Sequence, residues 1–161
     1  MTGSGDMMNM ILGGAMSESG QRAALLACNE YTRQYGLTLT AENAAMLTET
    51  QREALRTAGR VEFTGGAVEK IVTEFAASPY ITQASFAATL AALTELFYTF
   101  KNETSDLIGD EALIKYMRRA FDVECSGSVE ALAADALPEL ARRVNRYRAR
   151  GGLTGTEGAD E

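Results

Sequence analysis

Thr82-Gln83-Ala84-Ser85-Phe86-Ala87-Ala88-Thr89-Leu90-Ala91-Ala92-Leu93-Thr94-Glu95-Leu96-Phe97-Tyr98-Thr99-Phe100-Lys101 carries the longest regular apolar pattern in the chain. Phe86, Leu90, Leu93, Phe97 and Phe100 recur at spacings of four, three, four and three. On a helix of about 3.6 residues per turn that puts all five on one face. Such a face needs other helices to cover it. With Asn102 and Glu103, the end of this segment is also the most distinctive local string in the chain.

Composition points the same way. Only two prolines occur in 161 residues, and alanine is frequent, so long stretches are free to be helical. A hydrophobic share of 46% is too high for a disordered chain, and the length is enough for one core. The net charge of -7 repels phosphate backbones and anionic lipid, so neither nucleic acid nor membrane is expected as a partner. Yet Arg142, Arg143, Arg146, Arg148 and Arg150 face only Glu139 between Pro138 and Gly152, a local balance of +4 that leaves -11 elsewhere. Cys28 and Cys125 are isolated, which suits two reduced thiols in a cytoplasmic protein. The cluster of Met7, Met8, Met10, Ile11 and Leu12 lacks a preceding cation and is too short for a signal peptide core or a membrane span.

Residues 1–17 read as a flexible arm and residues 151–161 as a disordered acidic tail. Between them, six helical segments are expected. The first spans 18–35 with Ala24, Leu25, Cys28, Tyr31 and Tyr35 inward, and Gly36 stops it. Thr40 caps the second, whose buried side is Ala44, Leu47, Gln51, Ala54, Leu55 and Ala58, ending at Gly59. The third covers 67–77, with Val68, Ile71, Val72 and Phe75 on one side. Thr82 caps the fourth, and Asp110 the fifth, whose inner residues are Leu113, Ile114, Met117, Ala120 and Phe121. After a Ser126-Gly127-Ser128 turn, the last keeps one phase through Val129, Leu132, Ala136, Leu140, Val144 and Tyr147, with Pro138 forcing a kink or a split. The expected fold is therefore an all-α, single-domain bundle of five to seven helices over residues 18–150. Its core is expected to hold Leu25, Leu47, Ile71, Phe75, Phe86, Leu90, Leu93, Phe97, Phe100, Leu113, Met117, Phe121, Leu132, Leu140 and Val144.

Four strings give the chain a family likeness: Ala27-Cys28-Asn29-Glu30 with Tyr35-Gly36-Leu37-Thr38-Leu39-Thr40; Gly59-Arg60-Val61-Glu62-Phe63; Ser78-Pro79-Tyr80-Ile81-Thr82-Gln83; and Leu96-Phe97-Tyr98-Thr99-Phe100-Lys101-Asn102-Glu103-Thr104. Through these the chain resembles an uncharacterised bacterial family, a domain of unknown function. The resemblance covers the helical body and neither tail. It implies an all-helical cytosolic protein and carries no activity, cofactor or site.

Chemistry is narrowed mainly by what is missing. There is no histidine, which removes Ser-His-Asp and Cys-His catalysis and histidine-held metals. No phosphate loop and no nucleophile elbow occurs. No catalytic, cofactor-binding or metal-binding residue is therefore expected. The alternative is a small Mg²⁺-dependent hydrolase of nucleotides or related phosphates, using Glu95, Glu103, Asp106 and Glu111. It rests on Glu103-Thr104-Ser105-Asp106, a spacing that would set two carboxylates on one helix face, but the second acidic pair such enzymes need is absent. The better surface feature is the last helix, where Arg143, Arg146 and Arg150 share a face. They either dock an acidic partner or nucleic acid, the latter disfavoured by the net charge, or complement the negative helix end and an acidic body. The expectation is a non-catalytic cytosolic interaction module with a protein partner or a second copy of itself, docking through those three arginines.

Overall fold

A computed structural model describes residues 17–62 and 66–151, all of whose regular structure is helical. Residues 1–16 of the expected arm with its Met7 to Leu12 cluster, residues 63–65, and the tail from residue 152 on lie outside the described residues. The elements are α1 (Glu18–Ala27), α2 (Asn29–Thr32), a 3₁₀ turn (Arg33–Tyr35), α3 (Ala41–Ala58), α4 (Ala67–Phe75), α5 (Gln83–Glu103), α6 (Asp110–Val123), α7 (Val129–Ala131), a π turn (Leu132–Ala136) and α8 (Leu137–Ala149).

The opening stretch becomes α5, and it is the hub. It packs most extensively on α3 and also meets α4, α6, α7 and α8, while α1 lies on α3 and α4, and α4 on α6. Phe86, Leu90 and Leu93 are fully buried, and Phe97 and Phe100 nearly so. They join Leu25, Leu47, Ile71, Phe75, Leu113, Met117, Phe121, Leu132 and Leu140 in one apolar cluster. Phe75 and Phe121 meet edge to face at 5.5 Å, a favoured aromatic geometry. No helix among the described residues is long and apolar enough to cross a membrane.

Local chemistry sets the boundaries. Thr40 and Thr82 each close a capping box, with Asn43 and Ser85 returning the bond. Ser128 caps α7 through the Ala131 amide. Gly59 ends α3 in the left-handed conformation, which costs glycine little. Gly127 combines a left-handed φ of +82° with a neighbour that leaves no room: an added Cβ would stand 2.5 Å from Tyr80.

Several expectations need correcting. The first segment is not one helix. Asn29 leaves it to bond the Leu39 backbone twice (3.0 and 2.8 Å), and Thr32 bonds the Leu37 carbonyl at 2.7 Å. Such side-chain bonds compete with helix continuation. They tuck Leu37 and Leu39 into the core and leave Tyr31 and Tyr35 exposed, not inward. The third helix ends at Phe75, short of residue 77. Gly109, not Asp110, is the cap of α6. The last segment is split as one of the two expectations had it, with Pro138 in the first turn of α8. The chain widens into a π turn just before it, with the Leu137 amide reaching the Leu132 carbonyl five residues back. That wider turn makes room for a proline ring that would strike a regular helix. It also shifts the phase, so Leu137 is buried while Val144 is only partly covered.

Phe97 is 1% exposed in the C-terminal half of α5. Replacing it with alanine is expected to cost about 3–5 kcal/mol in denaturant unfolding. A loss under about 1 kcal/mol would show that the hub does not depend on this side chain.

Candidate functional site

The three expected docking arginines stand along the outer end of α8, and their surroundings extend beyond it. Leu107 and Ile108, from the loop after α5, join Leu140, Val144 and Tyr147 as apolar lining of a groove of about 440 Å³. Arg143, Arg146 and Arg150 line the same groove. Arg142 bonds Glu139 at 2.8 Å, and Arg146 only approaches that carboxylate at 4.0 Å. Arg142 holds Glu139 below the usual carboxylate range, so this acid stays charged and engaged. Arg143 and Arg150 make no ion pair among the described residues.

The four carboxylates of the hydrolase alternative do not meet in one cluster. Helix α5 ends at Glu103, so Glu103 and Asp106 do not share a helix face. Ser105 and Asp106 are both left-handed (φ 56° and 58°) and turn the chain back. Asp106 then meets Arg60 through two bonds of 2.7 and 3.0 Å and lies 3.6 Å from Lys101. The Arg60 guanidinium holds the Asp106 carboxyl below its usual range. Glu95 and Glu103 line a trough with Glu53, whereas Glu111 sits in the first turn of α6. Among the described residues, no three Asp, Glu, Cys or His side chains are grouped to hold a metal ion.

Sequence reasoning missed the polar cluster where the connector after α3 meets α5. Tyr98 is 1% exposed and donates to Glu62 at 2.6 Å; Gln51 of α3 donates to the other Glu62 oxygen at 2.8 Å and to Tyr98 at 3.3 Å. Burial raises the Glu62 pKa above the ordinary glutamate value, with the two hydrogen bonds opposing it. Burial and then the Glu62 charge raise the Tyr98 pKa. The phenol therefore keeps its proton and acts as a donor. The usable signals were Gln51 on the buried side of α3 and Tyr98, a polar-tipped aromatic off the apolar stripe of a helix that is covered on several sides. Neither thiol is activated: burial pushes Cys28 up to about 11, and burial with Glu124 and Asp135 raises Cys125.

A family model described as a family of unknown function, DUF6323, matches residues 24–150, and the chain belongs to that family. The match covers the helical body from within α1 to just past α8 and neither end of the chain, as the resemblance implied. No curated protein and no solved structure matches the chain.

The Glu62 shift has a definite sign in stability. A carboxyl that holds its proton more tightly when folded stabilises most at acid pH, and that contribution is lost as pH rises through its raised value. Denaturant unfolding across the range just above the ordinary glutamate pKa should therefore show Glu62→Gln with a shallower loss than wild type. Parallel curves would mean that Glu62 is not held away from water.

Proposed function

We propose that this DUF6323 member is a non-catalytic cytosolic docking module, and that its last helix receives an acidic segment of another protein anchored by apolar side chains. The observation that carries this reading is the groove bordered by Arg143, Arg146 and Arg150: an apolar lining beside cations of which two have no ion pair among the described residues. The structural role weighed against it, neutralisation of the chain's own acids, would leave all three engaged as Arg142 and Arg118 are, whereas only Arg146 reaches a carboxylate, Glu139 at 4.0 Å. Apolar lining and cationic border together suit an amphipathic helix with acids on one side and leucine-like anchors on the other. Nucleic acid fits less well, because the remainder of the chain carries -11. The hydrolase reading gains nothing from its dispersed carboxylates.

A fluorescently labelled amphipathic peptide of leucine and glutamate tests the proposal by anisotropy, beside the same peptide with lysine for glutamate. The acidic peptide is expected to bind and to weaken with salt; the basic one is not. Reversing Arg143, Arg146 and Arg150 to Glu should weaken the acidic peptide roughly tenfold or more. The melting temperature should hardly move, because exposed charges contribute little to folding. Binding that survives the triple change, or unfolding caused by it, overturns the proposal. Salt-sensitive self-association that the triple change abolishes would make a second copy the occupant instead.

A further inference from the structure

Beside the connector, between α1 and α3, lies a separate cleft of about 340 Å³, within the size range of small-molecule sites. Gln21 of α1, Thr48, Gln51 and Leu55 of α3, and Val61 and Glu62 of the connector line it. Its neutral polar side chains are held in the fold: Gln21 is 3% exposed, Thr48 3% and Gln51 6%.

Hydrogen-bond accounting decides what such a cleft can take. Arg52, Arg56 and Arg60 also line it, but each already meets a carboxylate, those of Glu18, Glu53 and Asp106 in turn. An anion would compete with those acids for the guanidinium groups, and a cation would meet three guanidinium groups. Thr48 is satisfied through the Ala44 carbonyl at 2.9 Å. Two groups of the lining with unused hydrogen-bonding capacity carry the argument. Each Glu62 oxygen receives one hydrogen bond from the protein and retains a further lone pair. The Gln21 Nε2 is buried and bonded to nothing. An unpaired buried amide weakens a fold, and the terminal torsion of glutamine turns readily by half a circle. Exchanging the two ends of the amide would present the N–H to the cleft that the Gln21 side chain lines, with the carbonyl oxygen taking the buried place.

We propose that this cleft binds a neutral ring with an amide N–H beside a carbonyl, the edge found in pyrimidinones and related lactams. The ligand carbonyl accepts from Gln21, its N–H donates to Glu62, and its flat face rests on Leu55 and Val61. This site shares no lining residue with the arginine groove.

Uracil is the probe, titrated into the full chain and followed by amide chemical shifts. Saturable shifts at residues 48–62 are expected. 1,3-Dimethyluracil, which keeps the ring and both carbonyls without an N–H, should bind at least about tenfold more weakly. Gln21→Leu should weaken uracil by a similar factor while the melting temperature holds or rises, since it removes an unpaired buried donor. A purely structural Gln21 would instead lower the melting temperature and leave uracil unaffected. Glu62→Gln, nearly the same size, should also weaken uracil. No saturable shifts, equal binding of the dimethyl analogue, or unaltered binding in both variants overturns the proposal.

Discussion

Lys101 is an ammonium 5% exposed inside a helical bundle, and much of the surrounding chain is arranged to satisfy it. Its Nζ donates to the Ile108 carbonyl at 2.8 Å and pairs with Asp110 at 2.9 Å and Asp106 at 3.6 Å. A buried charge without such partners would cost several kcal/mol. The chain beyond α5 therefore folds back over the helix end, and Ser105 and Asp106 take up left-handed geometry that side chains rarely adopt. Bonds from the Ser105 amide to the Asn102 carbonyl and from the Asp106 amide to the Lys101 carbonyl close the turn, both at 2.9 Å.

The same helix end ties down the connector on its other side. Asn102 bonds the Ala58 carbonyl and receives Arg60, which goes on to Asp106; Tyr98 holds Glu62. A helix covered by α3, α4, α6, α7 and α8 has little access to water, so its polar side chains must find protein partners. Residues 59–62 and 96–104, from two of the four strings behind the family likeness, are the two sides of this arrangement. The turn they share supports both candidate sites. Leu107 and Ile108 line the arginine groove, while Asp106 engages Arg60 at the edge of the cleft.

Apolar period carried most of the fold legibly, because burial repeats with the helix. Phe86 to Phe100, Leu113 to Phe121 and Val68 to Phe75 all face inward as their spacing requires. The caps were legible too, since Thr40, Thr82 and Ser128 act within three residues of themselves. Tyr31 and Tyr35 went astray because period alone does not register the competing bonds of Asn29 and Thr32. The polar cluster was hidden for a different reason. Gln51 and Glu62 reach Tyr98 across 47 and 36 residues, and no local pattern encodes such a meeting. The arginine face was visible on α8, but its apolar lining from Leu107 and Ile108 comes from a loop more than thirty residues earlier.

The π turn at Leu132–Ala136 gives the last helix a dependence on residue count as well as residue identity. A π turn holds one residue more than the regular helix it interrupts, and each residue rotates a helix by about 100°. Deleting one alanine from this turn would leave every arginine in the sequence. It would nonetheless swing Arg143, Arg146 and Arg150 about a quarter turn around the axis and strand Leu137 out of the core. The direction in which the cations point is thus stored as a single inserted residue, upstream of the side chains that use it. Among relatives, then, a change of length in this stretch carries more meaning than most changes of letter.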